Sequence, residues 1–206
     1  MIFDPRAHTK SDVYRFMVSA VIPRPIALVS TRSVEGDTNV APFSYFIALS
    51  SEPPLIGIAI SDRAGDQKDT LQNIRATREF VVNVVSESMF DSMVRAAGEW
   101  PRGRSEFDIV GWTPLASERV RAPYVAESPL QMECTLHQEI PLGNSFFVVG
   151  EVIFARVRDE VLTDGRVDPA KLAPIGRLGG EYYAPLGPVQ KRARPKVSRA
   201  TGEEAG

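Results

Sequence analysis

Apolar and polar positions alternate on two periods along the chain, and prolines and glycines mark where one period gives way to the other. Ser11 or Asp12 can cap a short helix through Val13–Ala20, with Phe16, Met17 and Ala20 on one face. Pro23 and Pro25 stop it and hold Arg24 extended, since proline fixes its own φ and disfavours a helical residue before it. Ile26–Thr31 (IALVST) reads as a strand, Glu35-Gly36-Asp37 as a turn, and Val40–Leu49 as the returning strand of a hairpin. Glu52-Pro53-Pro54 breaks the chain before the apolar strand Leu55–Ile60, and either proline is a candidate for a cis bond.

Asp69 opens a helical stretch in which Leu71, Ile74 and Ala76 can face inward. Asp69-x-x-Gln72 has the spacing of a capping box, with the aspartate as cap. Phe80–Val85 (FVVNVV) is a strand buried on both faces apart from Asn83. Glu87–Ala97 repeats Met89, Phe90, Met93, Val94 and Ala97 at helical spacing. Gly98–Asp108 is a polar, arginine-rich loop, long enough for a lid or a plain excursion. Leu130–His137 alternates most cleanly. Leu130, Met132, Cys134 and Leu136 point one way, and Gln131, Glu133, Thr135 and His137 the other. Ser145–Arg158 is a long strand after the Gly143-Asn144 turn, residues 163–169 form a loop, and Leu172–Tyr183 ends the ordered part.

These elements amount to roughly six or seven strands, mostly antiparallel, with two inserted helices, a spacing that favours a barrel over a doubly wound sheet. No GxGxxG follows a strand and opens a helix, and no GxSxG or P-loop occurs. Glu133 and Glu151 are paired acids that nothing in the sequence fixes in one pocket.

Composition narrows the class. The chain has 206 residues, 43% hydrophobic and 24% charged, as one globular domain would. That domain is placed at residues 1–186, with a basic, disordered tail at 187–206. Residues 188–206 carry a net charge of +3 against −5 for the body. Without aromatics to stack bases, such a tail is a poor nucleic-acid reader. Cys134 stands alone, which excludes an internal disulfide and suits a reducing compartment. His8 and His137 have no partners at metal spacing, and no CxxC or HExxH is present. No apolar run reaches the roughly 18 residues of a membrane span, and the N-terminus lacks a signal-peptide pattern. A soluble, cytoplasmic protein is expected.

Two segments carry candidate chemistry. Asn39–Phe46 (NVAPFSYF) begins a strand with small and polar residues where a buried strand would carry large apolar ones. Ala41 and Ser44 would let a planar ring approach the backbone, and Pro42 marks an edge or an interruption. The plainer alternative is that Asn39 closes a turn while Phe43 and Phe46 fill the core. In the second segment (RAGDQKDT), Lys68 precedes a helix start and Thr70 offers a hydroxyl from its first turn. Ser61 and Arg63 end the preceding strand. A helix N-terminus attracts anions through its N–H groups and about half a positive charge, so a phosphate fits there. The alternative is an Asp69 cap flanked by solvated cations.

In order along the chain, PRPIALVST (23–31), NVAPFSYF (39–46), SEPPLIGIAI (51–60), KDTLQNI (68–74), FVVNVV (80–85) and VVGEV (148–152) resemble the flavin reductase-like, FMN-binding split-barrel family, including its flavoredoxin-type branch. The resemblance covers roughly residues 11–183. It implies a mainly β, antiparallel, Greek-key-like split β-barrel that forms a homodimer with one FMN per subunit. The implied cofactor-binding set is Asn39, Val40, Ala41, Pro42, Phe43, Ser44 and Tyr45 along the ring, with Ser61, Arg63, Lys68, Asp69 and Thr70 around the phosphate. The family's chemistry passes a hydride from NADH or NADPH to flavin N5 and onward to free flavin, oxygen or a partner. That partner would be a monooxygenase or a redox protein. No side-chain acid or base is implied, because the flavin performs the chemistry itself. Two other functions stay open: an FMN-holding electron carrier without NAD(P)H activity, and a non-catalytic split-barrel binding protein.

The chain departs from the family in one place. Gly143-Asn144-Ser145 stands where many two-component reductases of this group carry a histidine. His137 reads as a surface residue, and Asn144 or Ser145 is left to contact a nicotinamide amide. Tyr182 or Tyr183, after Gly176-Arg177-Leu178-Gly179-Gly180, could cover the flavin, fill an interface or pack on the barrel end. Arg102 and Arg104 could steer an anionic dinucleotide or sit solvated.

Overall fold

The computed structural model describes residues 2–61, 67–98, 100–101, 104–197 and 204–205, the last residues (196–197 and 204–205) as backbone only. Helix α1 is Lys10–Ala20. Its cap is Thr9, not Ser11 or Asp12: the Thr9 hydroxyl accepts the Asp12 N–H while the Asp12 carboxylate accepts the Thr9 N–H. Of this helix only Val18 is buried. Phe16, Met17 and Ala20 are exposed, Phe16 lying flat on Phe3 at 4.2 Å between ring centroids.

Strands β1 (Ala27–Arg32), β2 (Thr38–Phe43), β3 (Phe46–Ser51), β4 (Pro54–Ser61) and β5 (Glu79–Val84) follow, with helix α2 (Asp69–Thr77) between the last two. The Glu52–Pro53 bond is cis. The predicted strand Val40–Leu49 is in fact two strands with a bend at Ser44–Tyr45. Helix α3 (Phe90–Ala96), preceded by a 3-10 turn at Glu87–Met89, and helix α4 (Glu106–Val110) come next. Short strands β6 (Pro114–Leu115) and β7 (Tyr124–Val125) pair with each other. The long strands β8 (Leu130–Leu142) and β9 (Ser145–Val157) then form a hairpin. Two small ladders close the described chain: β10 (Leu162–Thr163) with β11 (Arg166–Val167), and β12 (Ile175–Arg177) with β13 (Tyr183–Pro185). In the tail, the backbone of Lys196–Val197 pairs with that of Glu204–Ala205.

Seven strands form one antiparallel sheet in the order β2-β1-β5-β8-β9-β4-β3. β2 and β3 lie on its opposite edges, yet only Ser44 and Tyr45 separate them. The sheet must therefore curl until its edges meet at that bend, and the Ala59 N–H donates to the Tyr45 carbonyl there at 2.8 Å. Pro42 falls on the edge strand, where its missing N–H costs no interior ladder bond.

One face of the curl is filled by Val29, Ile58, Phe80, Val82, Cys134 and Val148, with Leu71 and Ile74 supplied by α2. A ring like that of Phe80, fully buried, contributes about 1.5–3 kcal/mol of hydrophobic stabilisation. It lies against Gly150 on β9, where any Cβ would overlap it. The opposite face holds a second core, in which Leu28 and Val40 meet Met89, Met93, Phe107 and Trp112. Strands buried on both faces need continuous apolar runs, which is why β1 and β5 carry them.

The polar residues of the second face are buried too. Asn83 has no exposed surface. Its amide donates to the Leu28 carbonyl and the Ser30 hydroxyl, and its Oδ1 accepts the Val125 N–H at 2.8 Å. Glu133 is 1% exposed and accepts the N–H groups of Glu118 and Arg119. Gln131 donates to the carbonyls of Val125 and Ser128. The alternation read from Leu130–His137 therefore holds, with Met132, Cys134 and Leu136 on the first core and Gln131 and Glu133 on the second face, where they are buried under a cover. The irregular segment 112–128 lies over this face and takes its hydrogen bonds from those side chains, because buried backbone groups need partners.

Candidate functional site

The meeting of the sheet edges leaves a cavity of about 510 Å³, within the usual range for small-molecule sites. Three walls come from the predicted segments. Asn39, Ala41, Pro42 and Phe43 of β2 continue into the Ser44–Tyr45 bend; Ala59 and Ser61 of β4 lie beside them; Lys68, Asp69 and Thr70 begin α2.

The start of α2 departs from the expected capping. Asp69 is already helical, and the cap position is Lys68, whose ammonium can accept nothing, so its own side chain makes no capping bond. Asp69 in the first turn still complements the helix dipole. Lys68 places its Nζ 4.9 Å from the centroid of the Phe43 ring, a cation–π contact that holds the ammonium at the cavity wall. Thr70 is 1% exposed, and its hydroxyl accepts the Asn39 amide at 2.9 Å, tying the edge strand to the helix start. Ser61 shares a 2.7 Å hydrogen bond with Ser145, which occupies the hydroxyl left for a nicotinamide contact.

Of the described positions in the sequence-read cofactor set, Val40 is turned away from the cavity. The Val40 side chain is buried in the second core, and its N–H is taken by the Glu106 carboxylate at 3.1 Å, so neither is presented to the cavity. The pleat explains this: Asn39 and Ala41 face the cavity, and the residue between them faces the other way. Arg63 lies outside the described residues, as does Arg102. Arg104 does not line the cavity, and neither do Gly143, Asn144 or Ser145. Tyr183 lines it and sets its ring edge-on to Phe90, whereas Tyr182 points to solvent.

Three charged residues on the walls were not found from the sequence. Glu106 opens α4, where Ser105 is the cap; that Ser-Glu start inside the presumed loop was the available signal. Burial pushes its carboxyl above the ordinary value and Asp69 adds to that, while the Val40 N–H pulls it back. Arg24 is 6% exposed and donates to the carbonyls of Val18, Val21 and Leu178. Arg177 stands next to it through a two-bond bridge between the Arg24 and Arg177 backbones, with its guanidinium 4.2 Å from the Tyr183 ring centroid. An arginine held between two prolines just before an apolar strand was the only local hint for the first, and nothing local marked the second.

A curled antiparallel sheet with a polar, cation-bearing cleft between its edges and a helix start on one wall defines a class of small-molecule-binding β proteins. The flavin reductase-like domain model matches residues 18–172, and the chain belongs to that family of oxidoreductases. Component B of nitrilotriacetate monooxygenase from Bacillus cereus is 34% identical, with a TM-score of 0.90 over 93% of this chain and 98% of that one. The 2-nitrobenzoate 2-nitroreductase NbaA of Pseudomonas fluorescens is 31% identical, with a TM-score of 0.88 over 98% and 100%. A Shewanella frigidimarina protein with a split barrel domain is 26% identical, with a TM-score of 0.83 over 94% and 99%.

Proposed function

We propose that the protein holds FMN in the cavity and works as an NAD(P)H:flavin oxidoreductase, passing electrons to free flavin or another acceptor. One observation carries the reading: the 510 Å³ cavity puts the small-residue edge of β2, the Ser44–Tyr45 backbone and the Lys68–Thr70 helix start on adjoining walls. A flat ring with a phosphate arm needs that combination. Asn39, Ala41 and Ser44 would flank the ring, while Ser61, Lys68 and Thr70, with Arg63, would hold the phosphate. When bound, FMN supplies hydride acceptance and release; the chain's own groups fix its position and its charge environment. Asn39 orients Thr70, the Phe43 ring orients Lys68, and the carbonyl of Tyr45 is already committed to Ala59.

The rest of the assignment follows from that reading. The domain is residues 1–186, with 187–206 as a basic tail. The active unit is a cytoplasmic homodimer, and the exposed Tyr14, Met17, Val21 and Ile22 of the α1 region with Ile47 and Leu49 on edge strand β3 are its apolar surface. Among the described residues no helix is long and apolar enough to cross a membrane. The Bacillus cereus neighbour is the B component of a monooxygenase, which supports an oxygenase as electron acceptor here.

A second reading is favoured by one observation. Gly143, Asn144 and Ser145 replace the family's histidine and stay off the cavity wall, as a carrier fed by a protein donor would allow. The visible spectrum of the protein with added FMN, followed by anaerobic injection of NADH and NADPH, separates the two. Bleaching within seconds is the expected result. Flavin that dithionite reduces but neither nucleotide reduces would establish the carrier, and a protein that takes up no FMN would overturn both.

A further inference from the structure

Arg24 and Arg177 have no role in the ring-and-phosphate arrangement, yet both line the cavity. Among the described residues no carboxylate lies within ion-pair distance of either guanidinium. A guanidinium has five N–H donors. Three of those on Arg24 go to the carbonyls of Val18, Val21 and Leu178, and its Nε–H is buried with no partner. A buried charge without a counter-charge is unfavourable, and here the buried Arg24 has the half-buried Arg177 cation beside it. Burial, and next to it the charge of Arg24, lowers the pKa of Arg177, while Tyr14 and Glu181 act in the opposite direction. The surroundings are aromatic: the Arg24 guanidinium lies 5.8 Å from the Tyr45 ring centroid, and Arg177 lies over Tyr183. The fold holds both cations in place through carbonyls rather than acids, so their charge is left available to a ligand.

The geometry points to a second anion subsite at Arg24–Arg177, which takes an oxyanion of the ligand that exchanges electrons with the flavin. The proposal rests on the flavin reading for the identity of its neighbour, but not for the charge pair itself. The planar forks of two arginines between two tyrosines suit a carboxylate or phosphate attached to a flat molecule. Two sources share that chemistry: the diphosphate of a nicotinamide dinucleotide, and the carboxylate of an aromatic acceptor.

The test titrates the full chain with ADP and, separately, with sodium benzoate by calorimetry, with and without bound FMN, and measures FMN affinity on the same samples. Wild type is expected to bind one of the two probes, ADP marking the dinucleotide and benzoate the aromatic acid. Arg177→Gln is expected to weaken that probe by about tenfold or more, with Arg177→Lys in between, since a charge-assisted contact is lost. Arg177 is the residue to change because Arg24 also ties down backbone carbonyls. Binding of neither probe by wild type, unchanged probe affinity in Arg177→Gln, or an equal loss of FMN in that variant would each overturn a separate subsite. If wild type takes up no FMN, the flavin reading fails, while probe binding to the FMN-free chain still decides the arginine pair.

Discussion

The two cationic walls of the cavity are built in opposite ways. On one, Lys68, Asp69 and Thr70 are consecutive residues at the start of a single helix, and their partners Asn39 and Phe43 lie on one strand. On the other, Arg24 and Arg177 come from opposite ends of the fold and meet only because β12 pairs with the stretch between Pro23 and Pro25. The first wall is local chemistry presented by a helix terminus. The second pairs a buried arginine with a half-buried one, and the whole fold has to close around the first. The difference should appear in what each wall does when broken: the helix wall should lose ligand, and the arginine wall should lose stability as well.

The largest expected effect tests the buried side. Arg24→Met leaves three carbonyls without their donor and should lower stability by about 3 kcal/mol in urea denaturation, given roughly 1–3 kcal/mol for each unsatisfied buried group and partial relaxation. Lys68→Met, on a half-buried helix start, should stay below about 1 kcal/mol. Equal losses would erase the contrast. Next comes ligand: Lys68→Ala should raise the FMN dissociation constant about 10–100-fold, the value of one charge-assisted contact, as followed by flavin fluorescence quenching. An unchanged constant would remove Lys68 from the phosphate site.

Thr70 sharpens the comparison because it belongs to both worlds. A first-turn threonine reads as an exposed ligand contact, but its burial and its bond to Asn39 make it structural as well. Thr70→Ala should cost about 1–2 kcal/mol of stability by leaving the Asn39 amide without its partner, and Thr70→Ser should restore most of it. Full stability in the alanine variant would show that the bond carries nothing. The smallest effect concerns Glu106. Its pKa is raised in the folded chain, so the folded state holds the proton more tightly than the unfolded state does. Stability from this residue is therefore fully present below the ordinary glutamate value and declines as pH rises through the raised one. Glu106→Gln should flatten that decline in thermal melts taken across the weakly acidic range; an unaltered slope would reassign it to another group.

Much of the sheet was legible because each of its signals is local. Alternation and apolar runs predicted β4, β5 and β9 close to their observed bounds and the start of β8, which runs on to Leu142 beyond the predicted His137; Leu71 and Ile74 face the core as their helical spacing requires. The bend at Ser44–Tyr45 was not legible, since apolar residues run on through it and only the sheet's curl demands a change of strand there. The reading of Asn83 as the one residue of its strand that escapes burial was wrong for a related reason, and nothing local marked Gln131 and Glu133 as buried. Polarity on a strand face signals water or a hydrogen-bonded cover equally well, and here the cover is segment 112–128.

Local residue patterns set the family-like order of motifs, the antiparallel β character, and the wall that begins with Lys68. Each depends on residues close enough in the chain to impose a period, a turn or a helix start. The tertiary structure alone decided that β2 and β3 part at a two-residue bend, that Val40 turns away from the cavity, and that Glu106, Arg24 and Arg177 reach it. Those outcomes depend on which distant backbone groups are buried together, and a buried polar group takes whichever partner the closed fold supplies.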